Sequence, residues 1–504
     1  MAAAGLILVV FGGLPAWMLR QLPFDGLYGQ DAFAYYDYAV GPLLGALRAG
    51  QPIPPFTWPP GYPLLVALAS FAVGTEPLAG QVVSILAGAV APVFTLLLAY
   101  EVWGRERGDL AAPLAAALLV GCMGQLRQSS VVVMADTAGL AAATAGMWAL
   151  ARYGRERRAG WLWLAAAGMS LAVLTRWAYA LAALPAVVFA LLCLAQTGRQ
   201  KGWGRAAGTA IGAAIMVMLA LWPLWEPVGR FLAGDGGGQS YLVDLEVYVW
   251  NPLNALRRQF LTADGLLEYR LPNGLYYALT PAHRFFLTPL LAVLLLPGLW
   301  VVWKEGDRAG RWLLLGWWGV VAAFHAGAPW QNFRFVLAFL PPVAITAAVG
   351  WAWARQRMPA RWRWLATVWL LVGLAWMSWG GWSLTRSFVE RKQADLQTVA
   401  WLAGEMPADA QLIAFQLTAT IQHYSAIETQ ELFFMTETDL ARWVAAGRPS
   451  YLFMEVANVE RQWRDRSPGR NYEWLREQVG LVVAGQRGQY TLFRVADGAD
   501  GDRR

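Results

Sequence analysis

The chain has 504 residues, of which 57% are hydrophobic and only 14% charged, and its mean hydropathy is +0.39. A soluble protein carries about 25% charged residues, so the composition indicates a membrane protein. The net charge of +7 does not indicate a nucleic-acid partner. The Lys and Arg residues lie in short loops between apolar segments, as the positive-inside rule predicts.

The cysteines and histidines exclude two further kinds of site. Cys122 and Cys193 fall inside apolar segments, so the sequence has no disulfide framework. His283, His325 and His423 lie far apart along the chain, so the sequence shows no His/Cys metal cluster.

Apolar segments that could cross a membrane recur along most of the chain. A helix needs roughly 20 apolar residues to cross a bilayer, or somewhat fewer with polar flanks. The first segment has no basic residues before it, so we predict a retained span rather than a cleaved signal. The eleven predicted spans are 2–19, 78–102, 110–126, 137–152, 160–175, 178–195, 206–225, 285–303, 311–327, 334–354 and 363–384.

Five basic loops set the predicted orientation. All five fall on one side of the membrane if the N-terminus is cytoplasmic and the eleven spans are correct. Counting the short apolar stretch 64–73 as a crossing would break this agreement, so we predict that 60–74 is a re-entrant or surface-lying helix. The basic loops are 103–109, 152–159, 198–205, 304–311 and 355–363.

Three stretches are then predicted to face the outer side: a loop over 20–77, a segment around 127–136, and a loop over 226–284. The last is too long to be a simple connector. Its aromatic residues and alternating polarity favour an ordered lid.

The composition changes after the last predicted span, and residues 390–504 are soluble in character. Helix-like and strand-like pieces alternate there, which predicts a small α/β domain on the outer face. Thr436 followed by Asp439 is typical of a capping box. The chain would thus comprise a membrane module, 1–385, and an outer domain, 390–504. The predicted elements of that domain are helices at 395–405, 436–447 and 471–480, strands at 411–417, 428–435 and 450–456, and a hairpin at 481–495.

Two acids in the predicted outer loops are candidates for chemistry, because charged groups at membrane depth are costly unless they have a function. Asp31 starts a predicted helix in which Tyr35 and Tyr38 share its face. Asp136 directly precedes an apolar span. Either acid could instead be a helix cap, although capping and function are compatible. Two carboxylates near one cavity would suit activation of a hydroxyl nucleophile. Asp25 and Asp37 are expected to be solvated.

Two arginines lie at the outer ends of predicted spans. Arg176 follows span 160–175, and Arg334 begins span 334–354. Both could reach lipid headgroups. The functional alternative is phosphate binding, for which Arg offers a fork of donors and a permanent charge. The sequence has no P-loop, no GxGxxG before a helix, no HExxH and no GxSxG. A nucleotide-consuming cytosolic mechanism therefore has no support.

Five sequence pieces, taken in order, carry a resemblance to a known family: GQDAFAYYDYA, PPGYPLLVALASFAVG, VVVMADT, TRW and FRFVLAFLPP. With them the chain resembles the GT-C glycosyltransferase superfamily over residues 1–385. Within it, the nearest resemblance is to the bacterial aminoarabinose transferases of lipid A and the protein O-mannosyltransferases. Such enzymes take a sugar from a polyprenyl-phosphate carrier and add it to an acceptor on the outer side of the membrane.

The resemblance implies roles for individual residues. Asp31 matches the first-loop acid, which is regarded as the base or acceptor-orienting group, and Asp136 matches the second-loop acid. Arg176 and Arg334 match basic positions near the carrier phosphate. The expected set for carrier and sugar binding is completed by Tyr35, Trp58 and Tyr62.

Two departures from the family pattern matter. Relatives often have an acid where this chain has Ala32, which puts an acidic-pair metal site in doubt. The aminoarabinose transferases have a Lys where this chain has Trp58, so phosphate contacts must come from elsewhere and the acceptor can differ.

The resulting expectation is a polytopic α-helical membrane protein of the GT-C fold, with about 11 transmembrane helices, juxtamembrane helices and the small C-terminal α/β domain. It would be an inverting glycosyltransferase of the bacterial plasma (inner) membrane, with its active site and C-terminal domain extracytoplasmic. Its partners would be membrane lipids, a polyprenyl-phosphate sugar donor and a protein, lipid or glycan acceptor. We expect no cofactor and no divalent metal.

Two other functions remain open. A transporter or lipid flippase could use the same charged residues as a substrate path, although such proteins often have two related halves and the sequence shows no internal repeat. A scaffold in envelope assembly could act through the outer domain alone.

Overall fold

The computed structural model describes residues 2–56, 58–225 and 250–496. Helices occur at all the predicted spans. Within the described residues, seven helices are long and apolar enough to cross a membrane, or eight if one bent pair, Gly124–Val131 with Asp136–Glu156, forms a single span. The polytopic helical architecture is therefore confirmed. The seven are Ala2–Gln21, Leu78–Arg107, Tyr179–Lys201, Trp203–Ala220, Thr288–Glu305, Phe333–Arg357 and Ala360–Glu405.

Several apolar helices are shorter than a full crossing. Gly61–Val73 has 13 residues, in the place where a re-entrant or surface-lying helix is predicted. Ala111–Cys122 and Ala159–Thr175 occupy two predicted spans, and Trp317–Gly327 occupies another. The count of eleven crossings and the orientation remain predictions.

The predicted continuous span 110–126 is wrong. The first helix ends at Cys122, Met123 is extended, and a second helix runs over Gly124–Val131. This second helix packs against the helix after Trp362, where a Cβ on Gly124 would lie 2.8 Å from the Cα of Gly381. All residues over 124–136 are buried. The segment predicted to face the outer side is therefore inside the protein.

The first predicted outer loop is helical in its first half. Gln30–Tyr38 is an α-helix that continues through a π-helical turn, Ala39–Leu43, into Leu44–Ala49. Before it, Val133 N donates to Gly26 O at 2.9 Å, and Gln81 Nε2 donates to Phe24 O at 2.9 Å. The loop is thus fixed to the turn that precedes Asp136.

The second outer loop is described from residue 250 onward; residues 226–249 of the predicted lid lie outside the described residues. The rest is ordered, as predicted. It forms a hairpin of β1 (Gln259–Thr262) and β2 (Gly265–Glu268), followed by the helix Asn273–Leu279. The hairpin contacts the C-terminal domain, where Leu266 N donates to Gln462 O at 2.7 Å.

One helix of 43 residues, Arg363–Glu405, joins the membrane region to the C-terminal domain. The sequence prediction of two separate helices, 363–384 and 395–405, is therefore wrong. The intervening residues contain neither Gly nor Pro, and Arg386 and Glu390 form an i,i+4 pair at 2.7 Å that supports the helix. The division into modules 1–385 and 390–504 stays an interpretation.

The C-terminal domain contains a five-stranded sheet in the order β4-β3-β5-β7-β6. β3 pairs in parallel with β4 and β5, whereas β7 runs antiparallel to β5 and β6. The strands are β3 (Gln411–Ala414), β4 (Glu428–Glu431), β5 (Ser450–Met454), β6 (Leu481–Arg487) and β7 (Tyr490–Val495). The helices are Thr418–Tyr424, Glu437–Val444, Val456–Arg461 and Ser467–Trp474.

This arrangement confirms the small α/β domain and most of its predicted elements. The capping box is present, since Asp439 N donates to Thr436 Oγ1 at 3.2 Å and Thr436 N donates to Asp439 Oδ2 at 3.1 Å. The predicted strand 428–435 ends at Glu431, where a 3₁₀ turn begins. The helix Thr418–Tyr424 has no counterpart in the prediction.

Candidate functional site

The four charged residues singled out from the sequence meet at one place. Arg334 lies at the centre: its Nη1 donates to Asp31 Oδ2 at 3.0 Å, and its Nε donates to Asp136 Oδ2 at 3.1 Å. Arg176 Nη1 donates to the other oxygen of Asp136. The site is therefore a chain of ion pairs in the order Asp31, Arg334, Asp136, Arg176.

Four helix ends position these side chains. Asp31 lies in the first turn of Gln30–Tyr38, and Asp136 is the first residue of Asp136–Glu156. Arg176 is extended, with φ −155° and ψ 123°, where the helix Ala159–Thr175 ends. Both acids therefore lie at helix N-termini, where the helix dipole favours negative charge.

Arg334 is held by the residues that come just before it. The side chain of Asn332 accepts a hydrogen bond from Arg334 N at 2.9 Å and caps the short helix Phe333–Val336. Trp330 Nε1 donates to Asp264 Oδ2 at 2.9 Å, next to the β1–β2 turn. The second outer loop thus supports the segment that carries this arginine.

The four charged side chains differ in how deeply they are buried. The side chain of Asp136 is 1% exposed, those of Arg176 and Arg334 are 18% and 23% exposed, and that of Asp31 is 39% exposed. A buried carboxylate is costly unless it is paired, and two guanidinium groups pair Asp136. Asp31 is consequently the carboxylate of the site that a second molecule can approach.

An aromatic cluster adjoins the ion pairs. The ring centroid of Tyr35 lies 5.0 Å from that of Trp58 and 5.5 Å from that of Tyr62. Burial is the main cause that raises the pKa of the Tyr35 hydroxyl, and the nearby charge of Arg176 opposes it. The phenol therefore stays protonated beside the charges and can donate a hydrogen bond.

The two other aromatic candidates differ in their surroundings. Tyr62 is fully buried, and its hydroxyl bonds Ser84 Oγ at 2.8 Å and Gly80 O at 3.1 Å. Its hydroxyl is thus engaged within the protein. Trp58 is half-buried and packs on Tyr35 and on Phe56, whose ring centroid lies 5.6 Å away. The structure brings both rings to the site, Tyr62 as a support for Tyr35 and Trp58 nearer the surface.

The sequence reasoning missed two aromatic neighbours of Arg176. Its guanidinium lies 5.7 Å from the ring centroid of Phe335, and its backbone O accepts a hydrogen bond from Tyr179 N at 3.2 Å. A signal existed for both: Phe335 follows Arg334 directly, and Tyr179 comes three residues after Arg176.

Comparison with known proteins gives both sequence and structural matches. The family described as Dolichyl-phosphate-mannose-protein mannosyltransferase (PMT) matches residues 76–231. No curated protein sequence matches the chain. Two crystal structures of ArnT from Cupriavidus metallidurans match. The one bound to undecaprenyl phosphate has a TM-score of 0.62 at 13% identity, over 96% of this chain and 97% of that one. The apo state has a TM-score of 0.62 at 14% identity, over 98% of each chain.

The crystal structure of the Archaeoglobus fulgidus oligosaccharyltransferase also matches, with a TM-score of 0.53 at 14% identity, over 90% of this chain and 68% of that one. The chain has the GT-C glycosyltransferase fold. The sequence resemblance to this superfamily is thereby confirmed. The family match includes Asp136 and Arg176, whereas Asp31 and Arg334 lie outside it.

A second charged cluster joins the first outer loop of this chain to its C-terminal domain. Lys392 Nζ donates to Leu27 O at 2.6 Å and to the hydroxyl of Tyr424 at 2.7 Å, and it lies 3.6 Å from Asp25 Oδ1. The Tyr424 hydroxyl donates to Asp25 Oδ2. The prediction that Asp25 is solvated is therefore only partly right, because its side chain is 36% exposed but is bound by Lys392 and Tyr424. We call these three side chains the latch.

Across 2–56, 58–225 and 250–496, no group of three or more His, Cys, Asp or Glu side chains lies close enough to hold a metal ion. The expectation that no divalent metal is used remains a prediction.

Proposed function

We propose that the chain is an integral membrane glycosyltransferase that moves a sugar from a polyprenyl-phosphate carrier to an acceptor hydroxyl. The observation that carries this proposal is the bridge from Arg334 to both Asp31 and Asp136, with Arg176 on the far side of Asp136. Two fixed cations thus stand beside an accessible carboxylate. The family match, which is named for a dolichyl-phosphate sugar donor, and the ArnT structure, which holds undecaprenyl phosphate, support such a carrier.

The transfer is proposed as one inverting displacement. The acceptor oxygen forms a bond to the anomeric carbon as the bond from that carbon to the phosphate oxygen breaks. The phosphate leaves with the bonding electron pair, and the proton of the acceptor hydroxyl passes to the carboxylate of Asp31. Asp31 suits this role because it is the more exposed of the two acids.

The arginines are proposed to stabilise the leaving phosphate. A guanidinium carries five N–H donors, and the ion pairs of the site engage one nitrogen of Arg176 and two of Arg334. Both can therefore offer further donors to a phosphate. Cations fixed in this way can lower a barrier by several kcal/mol, on the order of 3.

Asp136 is proposed to hold the two arginines in place. The sequence suggests that it helps to orient the nucleophile, but its side chain is 1% exposed and faces both guanidinium groups. A buried carboxylate between two cations sets their spacing and orientation. Tyr35 is proposed to donate to the donor substrate, with Trp58 and Tyr62 shaping the adjoining surface.

The site is proposed to face the outer side of a bacterial inner membrane, with the N-terminus cytoplasmic. The helix Asp136–Glu156 has 21 residues, roughly 30 Å, and carries the site at its first residue. At its other end Arg152 pairs with Glu101 at 3.4 Å, and Arg155 pairs with Glu106 at 3.0 Å. This charged cluster lies in the loops that the positive-inside rule places on the cytoplasmic side.

Carrier binding tests the proposal most directly. Purified protein in lipid nanodiscs is titrated with undecaprenyl phosphate, as wild type and as Arg176→Ala and Arg334→Ala. The control is Arg442→Ala, which removes an arginine whose side chain is 77% exposed on the C-terminal domain. We expect saturable binding that both site variants weaken by about tenfold or more and that the control leaves unchanged. No binding, or binding indifferent to both arginines, would favour a transporter.

A further inference from the structure

A cavity of about 780 Å³ lies between three parts of the chain, of which the first outer loop also carries Asp31. Its lining comes from the first outer loop over 28–33, from the helix Arg363–Glu405, and from the C-terminal domain, including the turn between β6 and β7. This volume is within the range of about 300–1,000 Å³ typical of small-molecule sites. The site described above does not include these residues.

The polar lining of this cavity is rich in neutral groups. Four glutamine amides and two threonine hydroxyls line it, and all can both donate and accept hydrogen bonds. Among the charged residues of the described lining, two are positive and two are negative, so they favour neither a polyanion nor a cation. The neutral groups are Gln30, Gln397, Gln416, Gln489, Thr398 and Thr420, and the charged ones are Arg391, Arg487, Asp395 and Glu455.

Aromatic rings complete the lining. Tyr28 and Phe33 contribute from the first outer loop, and Tyr490 contributes from the start of β7. Burial raises the pKa of both tyrosine hydroxyls, so they remain neutral donors. Flat apolar faces beside many neutral hydrogen-bonding groups fit a sugar, which has hydroxyls around its edge and C–H groups on its faces.

The cavity lies at the start of the helix that carries the residue proposed as the base. Gly29 and Gln30 line it, and Asp31 follows them in the same helix turn. The latch fixes this loop to the C-terminal domain, because Lys392 binds Leu27 O at 2.6 Å and Tyr424 at 2.7 Å. A molecule bound in the cavity thus lies beside the start of the helix that carries Asp31.

The backbone conformation of Gln416 is independent evidence that the side chains lining this cavity have a role in binding. Its φ is +79°, a conformation that L residues rarely adopt and that glycine adopts without strain. The position nevertheless carries a long polar side chain that lines the cavity. Such conformations cluster at ligand sites, where the surrounding structure holds them.

We propose that this cavity binds the acceptor and that the acceptor is a neutral glycan. The proposal rests on the proposed function, since only a transferase needs an acceptor beside Asp31. Residues of the glycan chain would occupy the cavity, and the hydroxyl to be modified would extend from it towards the Asp31 carboxylate. The C-terminal domain would then contribute to acceptor selection through Gln416, Glu455 and the β6–β7 turn.

The test measures direct sugar binding to the full chain. Maltotriose, mannotriose and the trimer of N-acetylglucosamine serve as probes in saturation-transfer NMR. The protein is held in lipid nanodiscs, because maltoside detergents carry a sugar headgroup. Ala394→Trp fills the cavity from the long helix, and Ala400→Trp is the matched control, an exposed alanine outside the described lining of the same helix.

We expect at least one trisaccharide to bind wild type and Ala400→Trp, and Ala394→Trp to weaken that binding by about tenfold or more. Gln416→Gly provides a second variant that relieves backbone strain. It should weaken sugar binding without lowering the unfolding temperature.

Two results would overturn the proposal. One is that none of the trisaccharides binds wild type, including the case in which a Ser/Thr-rich peptide binds instead. The other is that sugar binding is indifferent to Ala394→Trp. Undecaprenyl phosphate binding is measured on the same samples and should survive Ala394→Trp. If wild type binds undecaprenyl phosphate but none of the sugars, the acceptor site alone is rejected. If wild type does not bind undecaprenyl phosphate, the proposed function is rejected.

Discussion

Arg334 Nη1 lies 3.0 Å from Asp31 Oδ2, although the two residues are 303 positions apart in the sequence. The pair joins the first outer loop to a helix near the end of the membrane region. The Nε of the same arginine donates to Asp136 Oδ2 at 3.1 Å. One side chain therefore sets the distance between the two acids of the site.

Arg334→Lys tests whether this bridge requires a guanidinium. An ammonium group is a single point charge and cannot keep two carboxylates in the same fixed geometry. We expect transfer turnover to fall by about 10²-fold, on the order of 3 kcal/mol in the barrier, with a smaller loss of carrier binding. Arg442→Lys is the matched control on the surface. Wild-type turnover in Arg334→Lys would show that charge alone is sufficient.

Asp136→Asn should lower both stability and turnover, whereas Asp31→Asn should lower turnover alone. Asp136 is buried between two cations, and removing its charge takes the carboxylate from Arg176 and leaves Arg334 with Asp31 alone, which costs on the order of 3 kcal/mol of unfolding free energy. Asp31 is 39% exposed, so Asn there should change stability little and abolish most turnover. Thermal unfolding and transfer are measured on both variants. Equal turnover of Asp31→Asn and wild type would exclude Asp31 as the base.

Tyr424→Phe tests the latch. It removes the hydroxyl that binds both Asp25 and Lys392 but keeps the ring. We expect turnover to fall by roughly fivefold or more with carrier binding unchanged, because the loop before Asp31 loses one of its fixed points. Ser425→Ala, which removes a hydroxyl bonded to Ile421 O at 2.7 Å, is the local control. If both variants behave alike, the latch does not position Asp31.

Gly26→Ala tests the contact between the first loop and the turn before Asp136. Gly26 has a φ of +91°, and a Cβ there would lie 2.6 Å from Gln81 Cγ. Both the left-handed backbone and the clash oppose a side chain, so we expect a loss on the order of 2 kcal/mol of stability. Gly50 has a φ of +61° with nothing described within 4 Å of a built Cβ. Gly50→Ala should therefore cost about half as much, and a comparison of unfolding temperatures checks the difference.

The individual residues of the site were predictable, whereas their contacts were not. Asp31, Asp136, Arg176 and Arg334 are conspicuous in the sequence because charged groups beside apolar spans are costly. The sequence does not reveal that one arginine binds both acids, since this depends on how four distant helix ends pack. Lys392 follows the last span in a stretch that reads as an ordinary surface helix, and its partner Asp25 lies more than 360 residues away.

The fold was predicted to a similar degree. Hydropathy located the helices but misplaced two boundaries. The fall in hydropathy after Leu384 predicts a helix end. It instead marks a change of surroundings, because the backbone of Arg363–Glu405 stays helical. Conversely, the run 110–126 is apolar throughout most of its length, yet the helix ends at Cys122. Composition reports the surroundings of a segment but does not show where its backbone changes direction.

The unbroken helix Arg363–Glu405 has a mechanical consequence. Its 43 residues form a stiff rod of about 65 Å, which ties the height and rotation of the C-terminal domain to the membrane half of the helix. Inserting one residue near Glu390 would turn the domain by about 100° and lift it by about 1.5 Å, whereas four residues would restore the facing within about 40° and raise it by about 6 Å. The rotation of the domain about the helix axis is therefore fixed relative to the bilayer. Insertions that complete about one helical turn should be tolerated better than insertions of a single residue.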